Sequence, residues 1–232
     1  MFRRLLATQA WPGCCAICRA WPARTICENC SRRFVPELVR CECCALPVPA
    51  GVTRCGACLL APPPLDRCLA AVPWAWPWAG LVSRLKFRQE VGLAEPLAAL
   101  LIRAPGVAVT LGRAHWVLPI PLAPQRLAER GYNPALLLAR ALQRERCPVN
   151  WLLRVRDTPP QRGLTRSERM KNVRAAFALA PEGAQAMRDR RVVLVDDVMT
   201  TGATLHEAAR TLRAAGVREI TALVLARTDA PP

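Results

Sequence analysis

The segment from Val192 to Thr204, VVLVDDVMTTGAT, constrains the fold of this 232-residue chain more than any other. Four consecutive aliphatic residues, Val192 to Val195, suit a strand buried on both faces. Two carboxylates, Asp196 and Asp197, follow at once, and then a small, hydroxyl-rich loop. Beyond it, Leu205, Ala208, Ala209 and Leu212 recur at i, i+3, i+4 and i+7, which predicts a helix that ends at Gly216. The apolar run Ile220 to Leu225 predicts the next strand. Strand, helix and strand in this order form a right-handed crossover, so the sheet is expected to be parallel and the fold α/β. Ligands of such sheets bind beyond the carboxyl ends of the strands, which places a site at Asp196 to Thr204.

The residue types in that loop specify a chemistry. Gly202 lets the backbone approach an oxyanion, while Thr200, Thr201 and Thr204 offer hydroxyl donors. The amides at the start of the following helix face an anion along the favourable end of its dipole. Two adjacent carboxylates cannot bind that same anion. They can accept hydrogen bonds from sugar hydroxyls or hold a hydrated Mg2+. An ordinary connection with a threonine N-cap accounts for Thr204 and one carboxylate, and leaves the rest of the string unexplained.

The amino-terminal quarter has a different logic. Eight of the 12 cysteines form four C-x-x-C pairs: Cys15 and Cys18, Cys27 and Cys30, Cys41 and Cys44, Cys55 and Cys58. Each pair places two thiolates on a tight knuckle, and four knuckles supply two tetrahedral zinc sites. Eight residues separate Cys18 from Cys27 and ten separate Cys44 from Cys55, so sequential pairing gives two consecutive ribbons. Interleaved pairing is an alternative, and Cys43 is placed to replace Cys44 as a ligand. After Cys58, Ala61-Pro62-Pro63-Pro64 reads as a stiff spacer at a domain boundary.

On these motifs the chain resembles the type I phosphoribosyltransferases, whose binding motif for 5-phosphoribosyl-1-diphosphate (PRPP) is four hydrophobic residues, two acids and a Thr-Thr-Gly-x-Thr loop. With its cysteine-rich start it resembles, more closely, the ComF-like competence proteins. The resemblance implies a double zinc ribbon over residues 1–60, a proline-rich linker over 61–66, a phosphoribosyltransferase-like domain over 67–229 and a tail at 230–232. It implies that Asp196 and Asp197 contact the ribose hydroxyls. Val198, Met199, Thr200, Thr201, Gly202, Ala203 and Thr204 then form the loop around the 5-phosphate.

Three further segments share the likeness. Leu118-Pro119-Ile120-Pro121-Leu122, with Arg126 and Arg130-Gly131-Tyr132-Asn133, resembles the family's strand and diphosphate-side loop. Pro119 and Pro121 end a strand rigidly, Asn133 caps the next helix, Pro134 begins it, and both arginines are suitably forked donors for diphosphate oxygens. Thr158 to Phe177 has the spacing of the family's flexible loop, with Arg169 as a catalytic candidate. Leu85-Lys86-Phe87 resembles its Leu-Lys-aromatic step and offers Lys86 to a phosphate. The activity implied is Mg2+-dependent phosphoribosyl transfer linked to DNA uptake. The alternative is a catalytically silent, PRPP-sensing protein that binds single-stranded DNA together with other competence proteins.

Charge bears on the partners. Thirty-three basic residues against 17 acidic give +16, and with Lys86 and Lys171 the only lysines, 31 are arginine. A polyanion such as single-stranded DNA is an expected partner without sequence preference, although abundant Arg, Ala and Pro together also suit compositional drift. The uncharged stretch Cys68 to Val82 is broken by Pro73 and Pro77 and is too short to span a bilayer. Reduced, metal-bound cysteines point to the cytoplasm. Trp74, Trp76 and Trp78 alternate as on one face of a strand, and neither His115 nor His206 has a nucleophile partner in a recognisable context.

Overall fold

The computed structural model describes residues 13–156 and 175–229. They divide into two compact units, Met1–Pro36 and Glu37–Pro232.

In the first unit an antiparallel bridge joins Gly13 to Ala23, with Ala23 N–H donating to the Gly13 carbonyl at 2.8 Å. It closes the knuckle around Cys15 and Cys18. Helix α1 (Glu28–Phe34) follows, and its N-cap is a cysteine: Cys27 Sγ accepts from Cys30 N–H.

The second unit is the α/β domain. Its main sheet is parallel, in the order β1 (Arg67–Pro73), β6 (Glu219–Arg227), β5 (Arg191–Met199) and β2 (Trp116–Pro119). The two central strands are the most apolar. In β6 every residue after Glu219 is buried, as a strand covered on both faces requires. The expected strand–helix–strand unit is present: β5 leads to α9 (Ala203–Ala214), and Gly216, at φ +81°, turns the chain toward β6. A second, antiparallel sheet pairs β3 (Leu152–Arg154) with β4 (Phe177–Leu179). Phe177, grouped by its spacing with the flexible loop, therefore opens strand β4 and is itself buried. Residues 158–174 of that loop, Arg169 included, lie outside the described residues.

One expectation needs correction. The three tryptophans do not share a strand face. Strand β1 ends at Pro73, and Pro77 is the N-cap of α3 (Trp78–Phe87). Trp78 is wholly buried on that helix, whereas Trp76 is 71% exposed. The division into compact units falls at Pro36. The reason is packing: Cys41, Cys43, Cys44, Ala45 and Cys58 belong to the same core as Leu65, Cys68, Leu118 and Met199. Backbone bonds reinforce it, Cys68 N–H donating to the Glu42 carbonyl at 2.7 Å.

No single helix among the described residues is long and apolar enough to cross a membrane.

Candidate active site and cysteine clusters

The carboxyl ends of β5 and β2 open into a cleft of about 1140 Å3. Asp196 and Asp197 stand at its floor, at the tip of β5. Asp197 is buried, and Lys86, reaching in from α3, meets its carboxylate with Nζ to Oδ1 at 2.7 Å. Asp196 turns back on the chain, its Oδ1 accepting from Asp197 N–H at 2.9 Å. Burial pushes the Asp196 carboxyl up to about 7, with the neighbouring Asp197 charge adding to the rise and Lys86 opposing it. Burial and the neighbouring charge thus favour the protonated form of Asp196.

The loop after β5 is built around glycine. Gly202 sits at φ +80° as the N-cap of α9, and a Cβ there would come within 2.5 Å of Met199 Cε and 2.8 Å of His206 Nε2. A side chain there would be strained at that φ and would have to displace Met199 and His206, so glycine keeps the turn on its tight path into the helix. Thr201 Oγ1 accepts from Ala203 N–H at 3.4 Å. Thr200 and Thr204 line the cleft. Met199 and Ala203 are buried behind them.

The opposite wall comes from the segment after β2. Pro121 and Leu122 line the cleft, as do Arg126 and Arg130 of α6 (Pro124–Arg130). Asn133 organises this wall: Nδ2 donates to the Ile120 carbonyl at 2.9 Å, while Oδ1 caps α7 (Pro134–Leu142) by accepting from Ala135 N–H at 3.0 Å. Arg130 lies over the Phe87 ring at 5.1 Å. Tyr132 OH donates to the Leu85 carbonyl, tying the wall to the turn of α3 that carries Lys86.

Of the residues singled out in the sequence, Lys86, Pro121, Leu122, Arg126, Arg130, Asp196, Asp197, Val198, Thr200 and Thr204 share this cleft. Sequence reasoning missed Trp74, Arg154 and Thr228, which line it too. It also missed Arg227, a buried arginine at the end of β6. Arg227 Nε donates to the Cys44 carbonyl at 2.8 Å, and Nη1 donates to the carbonyls of Met199, Thr200 and Thr228 at 3.1, 2.6 and 2.6 Å. One guanidinium therefore ties the second cysteine cluster to the loop of the site. The signal was available: an arginine closing an otherwise apolar central strand must find acceptors.

The cysteines group sequentially. Cys15, Cys18, Cys27 and Cys30 form one cluster, and Cys41, Cys44, Cys55 and Cys58 the other, with the sulfurs of each all within 4.8 Å of one another. Four sulfurs bound at about 2.3 Å to a tetrahedral zinc lie about 3.8 Å apart. The spacings are 3.9 Å for Cys15 to Cys30, 3.8 Å for Cys18 to Cys27 and 3.6 Å for Cys44 to Cys55, so both sets fit that ion. Backbone N–H groups supply the outer shell: Cys27 donates to Cys15 Sγ at 3.5 Å and Cys55 to Cys41 Sγ at 3.3 Å. Burial would raise the Cys15 thiol, but the amides around it prevail and bring it down to about 6. Cys41, by the same balance, comes to about 7. Cys43 is buried outside the cluster and does not replace Cys44.

Comparison with known proteins decides the family. Residues 127–231 match the phosphoribosyl transferase domain. Over 231 residues the chain is 31% identical to the DNA utilization protein YhgH of Escherichia coli K12, covering 94% of this chain and 98% of that protein. The chain belongs to the ComF-like family. It is also 36% identical to competence protein F of Haemophilus influenzae, over 71% of this chain and 74% of that protein. With competence protein ComFC of Bacillus subtilis it shares 40% identity over 99 residues, 42% of this chain and 38% of that protein. A cysteine-rich ribbon region followed by a phosphoribosyltransferase-type α/β domain is the ComF-like architecture, and the site described here occupies the domain's carboxyl-end cleft.

Proposed function

We propose that this ComF-like chain binds PRPP with Mg2+ in the cleft and transfers its phosphoribosyl group to an acceptor. The observation that carries the reading is the acid pair of β5, Asp197 buried and Asp196 half-buried, standing beside a glycine-constrained, threonine-lined loop at a helix start, with arginines on the facing wall. Asp196 and Asp197 accept the ribose hydroxyls. The amides and hydroxyls of Thr200 to Thr204 hold the 5-phosphate, and Arg126 and Arg130 donate to the diphosphate. Lys86, freed from Asp197 when the ribose binds, turns to a phosphate oxygen. Mg2+, when bound with PRPP, would supply charge neutralisation to the leaving diphosphate. The bond from C1 to diphosphate oxygen breaks, charge develops on the ribose ring, and the acceptor's lone pair forms the new bond to C1. The protein contributes positioning and electrostatics, with Arg169 a candidate for late contacts.

The names of the relatives support a role in DNA uptake or the use of imported DNA, alongside other competence proteins and in the cytoplasm, where thiolate ligands of zinc stay reduced. A second reading, a silent PRPP sensor that binds single-stranded DNA, is favoured by the +16 charge. Two measurements separate them. Calorimetry with Mg-PRPP is expected to show binding in the wild type and none in the Asp196→Ala/Asp197→Ala chain. Diphosphate release is then assayed against a panel of nucleobases and amines: turnover supports transfer, whereas binding with no turnover on any acceptor supports the sensor. No PRPP binding by the wild type would refute both.

A further inference from the structure

A second cavity, of about 570 Å3, opens at the other end of the sheet, where β2 and β5 begin. Arg113, His115, Trp116, Arg146, Arg190 and Arg191 line it, and among the described residues no carboxylate does. Four guanidiniums around one cavity make its field strongly positive, which a bound anion would relieve. Their neighbours hold them ready. Arg191 Nε donates to the Arg113 carbonyl at 2.7 Å, and Arg146 Nη1 donates to the Ala114 carbonyl at 2.9 Å, which fixes both planes and leaves further N–H donors on each. Arg113 and Arg190 are exposed and form no ion pair among the described residues. His115 accepts from Arg191 N–H at Nδ1, 3.2 Å away, so its proton sits on Nε2 and the ring adds a donor. Burial first, and then Arg191, Arg190, Arg218 and Arg146, push that imidazole's pKa down.

We propose that this arginine-lined cavity is a second phosphate-binding site, at the opposite end of β5 from Asp196 and Asp197. Every polar side chain around it donates, forked guanidiniums match phosphate oxygens, and Trp116 provides an aromatic face beside them. The phosphate belongs either to a nucleic-acid backbone or to a free phosphate compound. The site stands independently of PRPP binding in the first cleft.

The test uses the full chain and two probes: a labelled oligothymidylate followed by anisotropy, and inorganic pyrophosphate followed by calorimetry. The variant is Arg113→Glu/Arg190→Glu, and the control, with the same change in net charge, is Arg19→Glu/Arg24→Glu. If the ligand is a nucleic-acid backbone, oligonucleotide affinity falls at least tenfold in the variant at about 50 mM salt, and the slope of log K against log salt falls by about 1.4, about 0.7 for each lost contact. If it is a free phosphate compound, the variant loses one pyrophosphate binding event and keeps its oligonucleotide affinity. Should the double variant be unstable, Arg113→Gln gives the same comparison with a slope change of about 0.7. Unchanged titrations with both probes, or an equal loss in the control, overturn the proposal. In that case oligonucleotide binding that survives in the variant leaves the DNA-binding reading standing without this cavity.

Discussion

The two cysteine clusters are near copies in spacing and opposites in setting. Cys15, Cys18, Cys27 and Cys30 serve a unit that ends at Pro36, with Cys18 exposed. Cys41, Cys44, Cys55 and Cys58 sit in the wall of the α/β domain, sharing its core with Leu65, Cys68 and Met199. The Cys44 carbonyl accepts from Arg227, whose remaining bonds hold the loop after Asp197. The same knuckle thus does two jobs, and the difference lies in what surrounds it. Around the first stand Arg19, Ala20 and Arg24; around the second stand Ala45, Leu46, Val48 and Leu65. A metal ligand set encodes a local clamp, and only the apolar flank decides whether a domain is built on it.

The largest effect is expected from removing one ligand in each cluster. Structural zinc contributes about 10–16 kcal/mol in small zinc domains, as much as the whole stability of an ordinary domain, about 5–15 kcal/mol. Cys58→Ser should therefore abolish the main thermal unfolding transition, or lower it by more than about 10 °C at a few °C per kcal/mol. Cys30→Ser should leave that transition in place and remove one zinc. Metal analysis with calorimetric melting checks both. Equal damage from the two substitutions would break the comparison.

Arg227→Met comes next. It removes the buried donor shared by the Cys44, Met199 and Thr200 carbonyls, at about 1–3 kcal/mol for each buried group left unsatisfied. A loss of roughly 3–5 kcal/mol is expected in denaturant unfolding. Arg227→Lys should recover part of the stability but little of the loop order, since a point charge cannot reach four acceptors as a planar fork does. PRPP affinity measured at a temperature where both variants are folded separates stability from loop positioning. If Arg227→Met binds PRPP like the wild type, the link between cluster and loop has no functional weight.

Gly202→Ala tests the loop from its other side. The methyl group would meet Met199 Cε at 2.5 Å on a backbone at φ +80°. Strain of that kind costs about 1–3 kcal/mol, and relief by moving the loop should weaken PRPP binding further. Melting and calorimetry report the two parts, and an unaltered melting point would show that the loop yields freely.

Much of this was legible in the chain. The β5 motif, the helix after it and the strand beyond were readable because aliphatic runs, an i, i+3, i+4 pattern and Gly216 agree with one another. Asn133 and Pro134 announced a helix start, and the structure has one there. The tryptophan run misled because its spacing of two is also what a strand end, a turn and a helix start can produce when prolines intervene. Strands β3 and β4, three residues each, are too short to carry a period. The merging of the second cluster with the α/β core was hidden because proline runs signal stiffness but not separation, and contacts such as Cys44 to Arg227 span 183 residues.

The smallest predicted effect concerns pH. The Asp196 carboxyl has its pKa raised from 3.8 to about 7 in the folded chain, chiefly by burial. Between those values the folded state binds more protons than the unfolded state, so this group's contribution to stability falls as pH rises through that window. Asp196→Asn removes the titration while keeping the shape. Its advantage over the wild type should be near zero at about pH 4 and grow to a few °C in melting temperature by about pH 8, in ligand-free protein. At the same pH it should weaken PRPP binding, because the amide offers the ribose hydroxyls a neutral acceptor in place of a charged one. A melting difference that is constant from pH 4 to pH 8 would mean that Asp196 ionises normally, with Lys86 and the Asp197 amide outweighing burial. The acid pair would then be charged before any ligand arrives, and the Lys86–Asp197 contact would be one edge of a pre-ionised site.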